Sequence, residues 1–480
     1  MDELEVEQRL DLMEQAVDTC FLLVCAIFVF LMQFGFAALE VGSIRPKNTK
    51  AVLLKNTTDA AIGALVWWLV GHGVAFGEGS NFMGESQFAF SPELDEERIG
   101  EVALEYARWM LQWAFAATST TIVSGAIAER VALHAYLIYG VIITSLIYPV
   151  VAHWVWAPSG WASSFRADDG DLLVGCGVAD FSGSGVVHLT GGLMALVAAV
   201  CVHPRGGRFD AEGKPRRLER QSPALNVLGT LILWAGWFFF NASGVASFSR
   251  QPDDAAKSML NTAVCPSASV VVTMLIHWMY HRSFDPFMAT NGMLGGLVAI
   301  TASSPLVQAE GAFVIGVVSG ALVFYGSKLL LKFKIDDVVD ASVVHGLCGL
   351  WGMLATGLFT TKLGYARAYA EDRADDCCGV FYGCSGGLLA ANVIFVLAQV
   401  AWVGGTAVVL FLGIKYSLGL RVNTITEEEG MDKTRHGGYH GGATTMGSTP
   451  GAAMEAVRRL SGTNQRQSAV ASASTSNVLA

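Results

Sequence analysis

The chain has 480 residues, 52% of them hydrophobic and 15% charged, with a mean hydropathy of +0.46. That balance excludes a water-soluble domain of this length and points to a lipid-embedded protein. The formal net charge of -10 argues against a nucleic-acid partner, because phosphate binding needs a basic face.

The N-terminus is acidic (Asp2, Glu3, Glu5, Glu7). It lacks the basic stretch of a signal peptide, so the first apolar segment is expected to stay in the mature protein. A membrane-spanning helix needs about 20 mostly apolar residues. Eleven segments qualify, near 18–42, 55–77, 103–128, 132–156, 182–202, 222–245, 260–280, 286–303, 310–331, 338–360 and 386–415. The expected fold is an all-α polytopic membrane protein with eleven transmembrane helices. Orientation follows from the basic residues of the loops. With the N-terminus outside, the inner loops hold Arg45, Lys47, Lys50, Arg130, the run from Arg205 to Arg220, Lys328, Lys332 and Lys334. The outer loops are acidic instead, as in Asp95-Glu96-Glu97 and Asp375-Asp376. Eleven spans then leave the C-terminus in the cytoplasm.

Four parts result: an extracellular segment 1–17, a membrane domain 18–415, a cytoplasmic segment 416–440 and a Ser/Thr-rich tail 441–480. The tail's composition predicts disorder. Its Arg458-Arg459-Leu460-Ser461 resembles a basophilic kinase site, a short match of a kind that is mostly incidental. None of the cysteines shows zinc spacing, and no metal or cofactor is expected. Cys377, Cys378 and Cys384 cluster in one polar loop, where a disulfide and free thiols both remain open.

Two histidines interrupt the apolar pattern in matching contexts. Asp180 to Leu193 and Asp337 to Leu350 both read D-x5-V-V-H-x3-G-L, which places His188 in the fifth span and His345 in the tenth. An ionisable residue in a membrane span is costly and marks a functional site by default. Five spans separate the two motifs, so they run in opposite directions. Helices 1–5 and 6–10 are therefore expected to form an inverted repeat, with the site at their interface. Eight residues of helix cover about 12 Å of a core about 30 Å thick, so both histidines fall near the midplane. Asp180 and Asp337 suit N-caps. Capping suffices for Asp337, whereas Asp180 also lies at the outer mouth. A neutral imidazole has one donor and one acceptor. Two in contact can line a narrow path for a small polar species such as ammonia, or relay a proton; the bland alternative is a pair of interhelical hydrogen bonds.

Several motifs in order resemble the ammonium transporter family (Amt, Mep and Rh proteins) over roughly residues 18–440. They are Asp180-Phe-Ser-Gly-Ser-Gly-Val-Val-His188, Met32-Gln-Phe-Gly-Phe-Ala-Ala-Leu-Glu40, Lys47-Asn-Thr49, Ser124-Gly-Ala-Ile-Ala-Glu-Arg130 and Asp336-Asp337 leading to His345. Gln112-Trp-Ala-Phe115, Tyr148 to Trp154 and Gly430 to Gly438 look most like the plant and algal branch. The resemblance implies a homotrimer with one pore per protomer. It implies an outer cation site at Trp156, supported by Asp180, Phe115 and Ser243. It implies a gate of stacked rings, Phe115 and Phe240, above a pore lined by His188 and His345. Thr434 matches a threonine that acts as a phosphorylation switch in plant-like relatives, which implies a kinase partner. Two departures stand out. Trp237-Phe-Phe-Phe-Asn241 is followed by Ala242-Ser243, which displaces the outer-site serine by one residue, so that either Ser243 takes its role with a local shift or the site loses a hydroxyl, and Leu111 replaces an aromatic found in some relatives.

The expected function is ammonium transport across the plasma membrane, with the bilayer and ammonium or ammonia as partners. Recruitment at the aromatic site precedes deprotonation and passage of ammonia, with the proton carried separately. The alternatives are an Rh-like channel for neutral ammonia or carbon dioxide, and an ammonium sensor that signals through its tail. No nucleotide loop, catalytic triad or metal-ligand cluster suggests an enzyme.

Overall fold

The computed structural model describes residues 3–93, 98–166 and 172–437. The tail, with Ser461, lies outside the described residues, as does Asp95-Glu96-Glu97. Eleven principal helices follow one another: α1 (Glu3–Ser43), α2 (Pro46–Phe76), α3 (Ile99–Ala126), α4 (Leu133–Trp156), α5 (Ser184–Val202), α6 (Pro223–Ala242), α7 (Pro252–His281), α8 (Pro286–Ile300), α9 (Ala309–Lys332), α10 (Ser342–Phe359) and α11 (Gly387–Ser417). The described residues contain no β-strand, only isolated bridges. Nine of these helices are long and apolar enough to cross a membrane. The other two, α3 and the 15-residue α8, coincide in position with the third and eighth segments expected from sequence.

Local sequence sets the helix starts. Pro223, Pro252 and Pro286 occupy first-turn positions, where a missing N–H costs nothing. Ser222 and Asp285 cap the first and third of these ends by accepting from Leu225 N and Phe287 N. One boundary differs markedly from expectation. The acidic segment 1–17 is not separate from the first span, because α1 is already helical at Glu3. Its Glu, Leu, Gln, Met and Ala are strong helix formers, and that propensity extends the helix beyond the apolar run.

Small residues bring the helices together, as expected where lipid supplies no hydrophobic drive between them. A Cβ at Gly229 of α6 would lie 2.5 Å from Leu39 N of α1. A Cβ at Gly192 of α5 would lie 2.1 Å from Gly346 N of α10. Elsewhere apolar side chains point outward: Leu397 and Val409 of α11 are 65% and 74% exposed, an outer face suited to lipid.

α5 and α10 run antiparallel. Arg205, just past the end of α5, pairs with Asp336, just before α10, while Gly349 and Gly352 late in α10 pack on Ser184 at the start of α5. Both helices begin with a wide π turn, Ser184–Leu189 and Ser342–Leu347, and each turn carries its histidine. Such turns are rare and often mark functional positions.

Two disulfides join the loops near the start of α5, Cys176–Cys377 and Cys378–Cys384. The second lies inside the polar cysteine cluster. The first reaches out of it, to a residue 201 positions earlier.

At the other end of the bundle a buried charge network ties the loops. Glu129 takes hydrogen bonds from Arg45, Arg205 and Asn48, and Asp336 from Arg205 and Arg208. Burial alone would push the Asp336 carboxyl up; the guanidinium of Arg205 outweighs it and holds the group well below the ordinary carboxylate range. Breaking one partner of such a network leaves an uncompensated buried charge, at a cost of about 3–5 kcal/mol. The segment after α11 is clamped to the same loops. Lys47 Nζ donates to the Glu427 and Glu428 carbonyls at 2.7 and 2.6 Å. The Asp432 carboxylate caps the start of α2 by accepting from Lys50 N and Ala51 N, both at 3.0 Å.

The glycine contact between α5 and α10 yields a direct test. Gly192→Val is expected to force the helices apart and to destabilise the protein by about 3 kcal/mol, the upper range for overpacking. It should lower the melting temperature in detergent. An unchanged melting temperature would contradict the close approach.

Candidate functional site

A file of aromatic and imidazole rings runs through the bundle between α3, α4, α5, α6 and α10. It begins at a vestibule of about 580 Å³ lined by Phe115, Trp156, Ser243, His72, Gln112 and Phe181 among others. Trp156 ends α4, and its Nε1 donates to the Asp180 carbonyl at 2.9 Å, which fixes the ring over the vestibule floor. The Phe115 and Trp156 centroids are 5.9 Å apart. Ser243, in the turn after α6, lines the same space, so the serine displaced by one residue still reaches it. Its hydroxyl donates to the Phe240 carbonyl at 2.8 Å, which leaves the oxygen lone pairs as acceptors.

Below the vestibule, Phe115 of α3 meets Phe240 of α6 with centroids 4.3 Å apart. Their planes tilt by 34°, so the pair closes the floor without the parallel stacking expected from sequence. Phe240 lies 5.5 Å from the His188 ring, and His188 lies 5.3 Å from His345. Both imidazoles are buried. Past His345 a cavity of about 20 Å³, also lined by Phe36, Glu40 and Thr121, leads on. That is room for one water-sized molecule.

The imidazole contact constrains the chemistry. His188 Nδ1 and His345 Nδ1 are 3.3 Å apart. One must donate and the other accept, so the neutral pair holds a single proton on that line. The tautomers are then opposite. One ring presents an Nε2 acceptor and the other an Nε2–H donor. His188 Nε2 is buried and makes no hydrogen bond to protein, so it is available to a passing molecule. A species small enough to pass and able both to donate and to accept suits this pair.

The aspartates act on the backbone. Asp180 is 1% exposed. Its carboxylate accepts from Gly183 N and Gly185 N at 3.0 Å and from Val186 N at 2.8 Å, which organises the π turn that carries His188. Gly183 adopts φ 105°, a left-handed conformation that glycine tolerates. Asp180 does not line the vestibule; it touches that space only through the carbonyl that holds Trp156. Asp337 plays the matching part on α10, accepting from Ser342 N and Oγ at 2.7 Å each.

Thr434 stands apart from this file, in the clamped segment. Its hydroxyl donates to the Gly430 carbonyl at 2.8 Å, in a short helix Met431–Thr434. Trp237, which sequence reading gave no role, stacks on His188 with centroids 5.0 Å apart, and its Nε1 donates to Thr301. It holds one face of the imidazole. A tryptophan one helical turn before Phe240 was the available signal.

The profile of the Ammonium Transporter Family matches residues 20–440. Among curated proteins, the chain is 36% identical to tomato (Solanum lycopersicum) "Ammonium transporter 1 member 3" over 435 residues, 88% of this chain and 93% of that protein. It is 38% identical to "Ammonium transporter Amt2" of Archaeoglobus fulgidus, covering 88% of each. Among solved structures it resembles a "Sensor Amt Protein" with TM-score 0.77 and 29% identity, over 88% of this chain and 99% of that one. It also resembles Mep2 of Saccharomyces cerevisiae with TM-score 0.73 and 25% identity, over 85% and 88%. With nine membrane-length apolar helices among the described residues, a family match over most of its length and relatives aligned nearly end to end, this multi-pass membrane protein belongs to the Ammonium Transporter Family.

Proposed function

We propose that the chain carries ammonium across the plasma membrane by releasing its proton at the aromatic gate and passing ammonia between His188 and His345. The unbroken file of rings from Trp156 to His345 supports this reading most strongly. Magnitudes decide the route. Moving a bare ion into a low-dielectric interior costs on the order of 20 kcal/mol. A desolvated cation–π contact returns about 2 kcal/mol. Taking the proton from an amine with a pKa near 10 costs only about 4 kcal/mol at neutral pH. Ammonium therefore crosses more cheaply as ammonia, whereas potassium has no proton to give up.

In this reading the eleven helices are eleven spans, the vestibule is extracellular and the clamped C-terminal segment is cytoplasmic. Helices α1–α5 and α6–α10 form the inverted repeat, which the antiparallel, similarly capped α5 and α10 favour. Trp156 and Phe115 attract the cation by their faces, and the Ser243 oxygen accepts one of its N–H groups. Asp180 contributes through the turn it organises and through its negative field. The proton crosses separately, so the net cargo is ammonium. Three copies assemble, each with its own pore. A second reading, an ammonium sensor, draws on the likeness to the solved sensor protein.

Expression in yeast lacking its own ammonium carriers separates these readings. The transporter reading expects growth on scarce ammonium; no rescue, with protein shown at the surface, would sink it. His188→Ala is expected to abolish or alter conduction, because it removes the hydrogen bond between the imidazoles and one lining group. Flux and selectivity like wild type would refute that role.

A phosphate on Thr434 adds about −1.5 to −2 charge and removes the hydroxyl proton that Gly430 now receives. It would sit beside Asp432 and Glu429, in a segment held by Lys47 and by the N-terminus of α2. Thr434→Asp should loosen this clamp and lower ammonium uptake severalfold at equal surface levels, while Thr434→Ala stays near wild type. Full uptake by Thr434→Asp would remove the switch.

A further inference from the structure

Among the described residues two side chains of full charge line the vestibule, Glu105 and Arg108, both on α3. Residues three and four apart share one face of a helix. Glu105, Arg108, Gln112 and Phe115 follow that spacing and all line the cavity, so they form one stripe from its mouth to the gate. At 1.5 Å per residue the stripe is about 15 Å long. Glu105 is its outermost member, close to the start of α3.

Glu105 is also the only carboxylate among the described residues of that wall. The acid nearest the vestibule floor, Asp180, has its carboxylate taken by Gly183 N, Gly185 N and Val186 N. Trp156, Phe115 and Ser243 offer ring faces and a lone pair, but no net charge. A cation of this chain already occupies Glu105. Arg98, just before α3, donates from Nη2 to Glu105 at 2.9 Å and from Nε to Glu101 at 3.0 Å. The Arg98 and Glu105 side chains are 44% and 37% exposed, and an ion pair this open to water contributes little net stability. When it opens, Glu101 still holds the guanidinium beside the mouth. With Arg98 docked, Glu105 is neutralised and Arg108 leaves the wall positive. With Arg98 drawn back to Glu101, the Glu105 oxygens are open to another donor.

We propose that Glu105 is the entry site for the ammonium cation, and that Arg98 is a built-in competitor for the same carboxylate. The proposal rests on the reading of the chain as an ammonium transporter. An ionised carboxylate only accepts hydrogen bonds, and a guanidinium only donates them. Ammonium has four N–H donors and no lone pair, so it can take over the bond that Arg98 gives up. A charge in a cleft with low-dielectric walls focuses its field and raises the local concentration of the opposite ion. The captured cation then stands at the head of the stripe that leads to Phe115, where neutral groups receive it. Glu105 acts on capture and not on the crossing, so its effect falls on KM rather than on the maximal rate.

The test measures uptake of labelled methylammonium over a range of concentrations, at matched surface levels, in yeast lacking its own carriers. Glu105→Gln should raise KM about threefold, the scale of one half-exposed charge interaction, with a far smaller change in maximal rate. Glu105→Asp keeps the charge and should return KM toward wild type. Arg98→Gln should lower KM about threefold. It should have no such effect when combined with Glu105→Gln, because residues that share one interaction do not act additively. Added sodium chloride should shrink the difference between Glu105→Gln and wild type, since salt screens exposed charges. A wild-type KM in Glu105→Gln overturns the proposal, and so does an Arg98→Gln shift that is equal with and without Glu105. If Glu105→Gln fails to reach the surface, Arg98→Gln alone decides, and an unchanged or raised KM overturns the proposal. These contrary KM values leave transport standing. No wild-type uptake removes the transporter reading, and the entry role with it.

Discussion

Taking a bare metal cation into the apolar file of rings would cost far more than its contacts return, and that constraint frames the rest of the architecture. The vestibule is lined by rings, by the Ser243 hydroxyl and, among polar side chains, by Glu105 and Gln112. The path beyond it is made of Phe115, Phe240, Trp237 and two imidazoles joined to each other. A single shared hydrogen bond between the Nδ1 atoms forces opposite tautomers on His188 and His345. The protein thereby keeps a polar pair in an apolar tube without leaving all of its polar atoms orphaned.

The scaffold serves that pair. Each histidine lies in a π turn whose first free N–H groups are taken by an aspartate, three of them by Asp180. Gly192 and Gly346 let the two helices touch, which sets the imidazole separation. A buried charge network closes the far end of the bundle, where Glu129 and Asp336 each face arginines. The same loops bind the segment after α11 through Lys47 and the capped start of α2. A change in that segment therefore has a rigid route to α2, whose Lys55 pairs with Glu40 beside the pore.

Much of the ring file was legible in the sequence because its residues lie in local motifs. His188 and His345 stand out against their apolar surroundings, and their repeated context gives the opposite directions of α5 and α10. Helix positions were legible for the same reason, since apolar runs of membrane length are hard to mistake. What the sequence hid is non-local or below the resolution of periodicity. The Cys176–Cys377 bond spans 201 positions, and no spacing within the cysteine cluster points to it. The π turns leave the apolar pattern unchanged. The Glu129–Arg205–Asp336 network joins residues from three separate loops. Asp180 looked like a vestibule residue because it precedes the fifth span, but its carboxylate is taken by its own turn. The N-terminal helix was missed because an acidic, water-facing stretch carries helix propensity without the hydropathy of a span.

The central claim is that the cargo sheds its proton before entering the file of rings. Currents measured in oocytes bathed in ammonium and then in potassium, over the same voltages, test it most directly. The account predicts a saturable inward current with ammonium and none above background with potassium. A potassium current of comparable size would show that a bare ion passes the Phe115–Phe240 gate, and would contradict it.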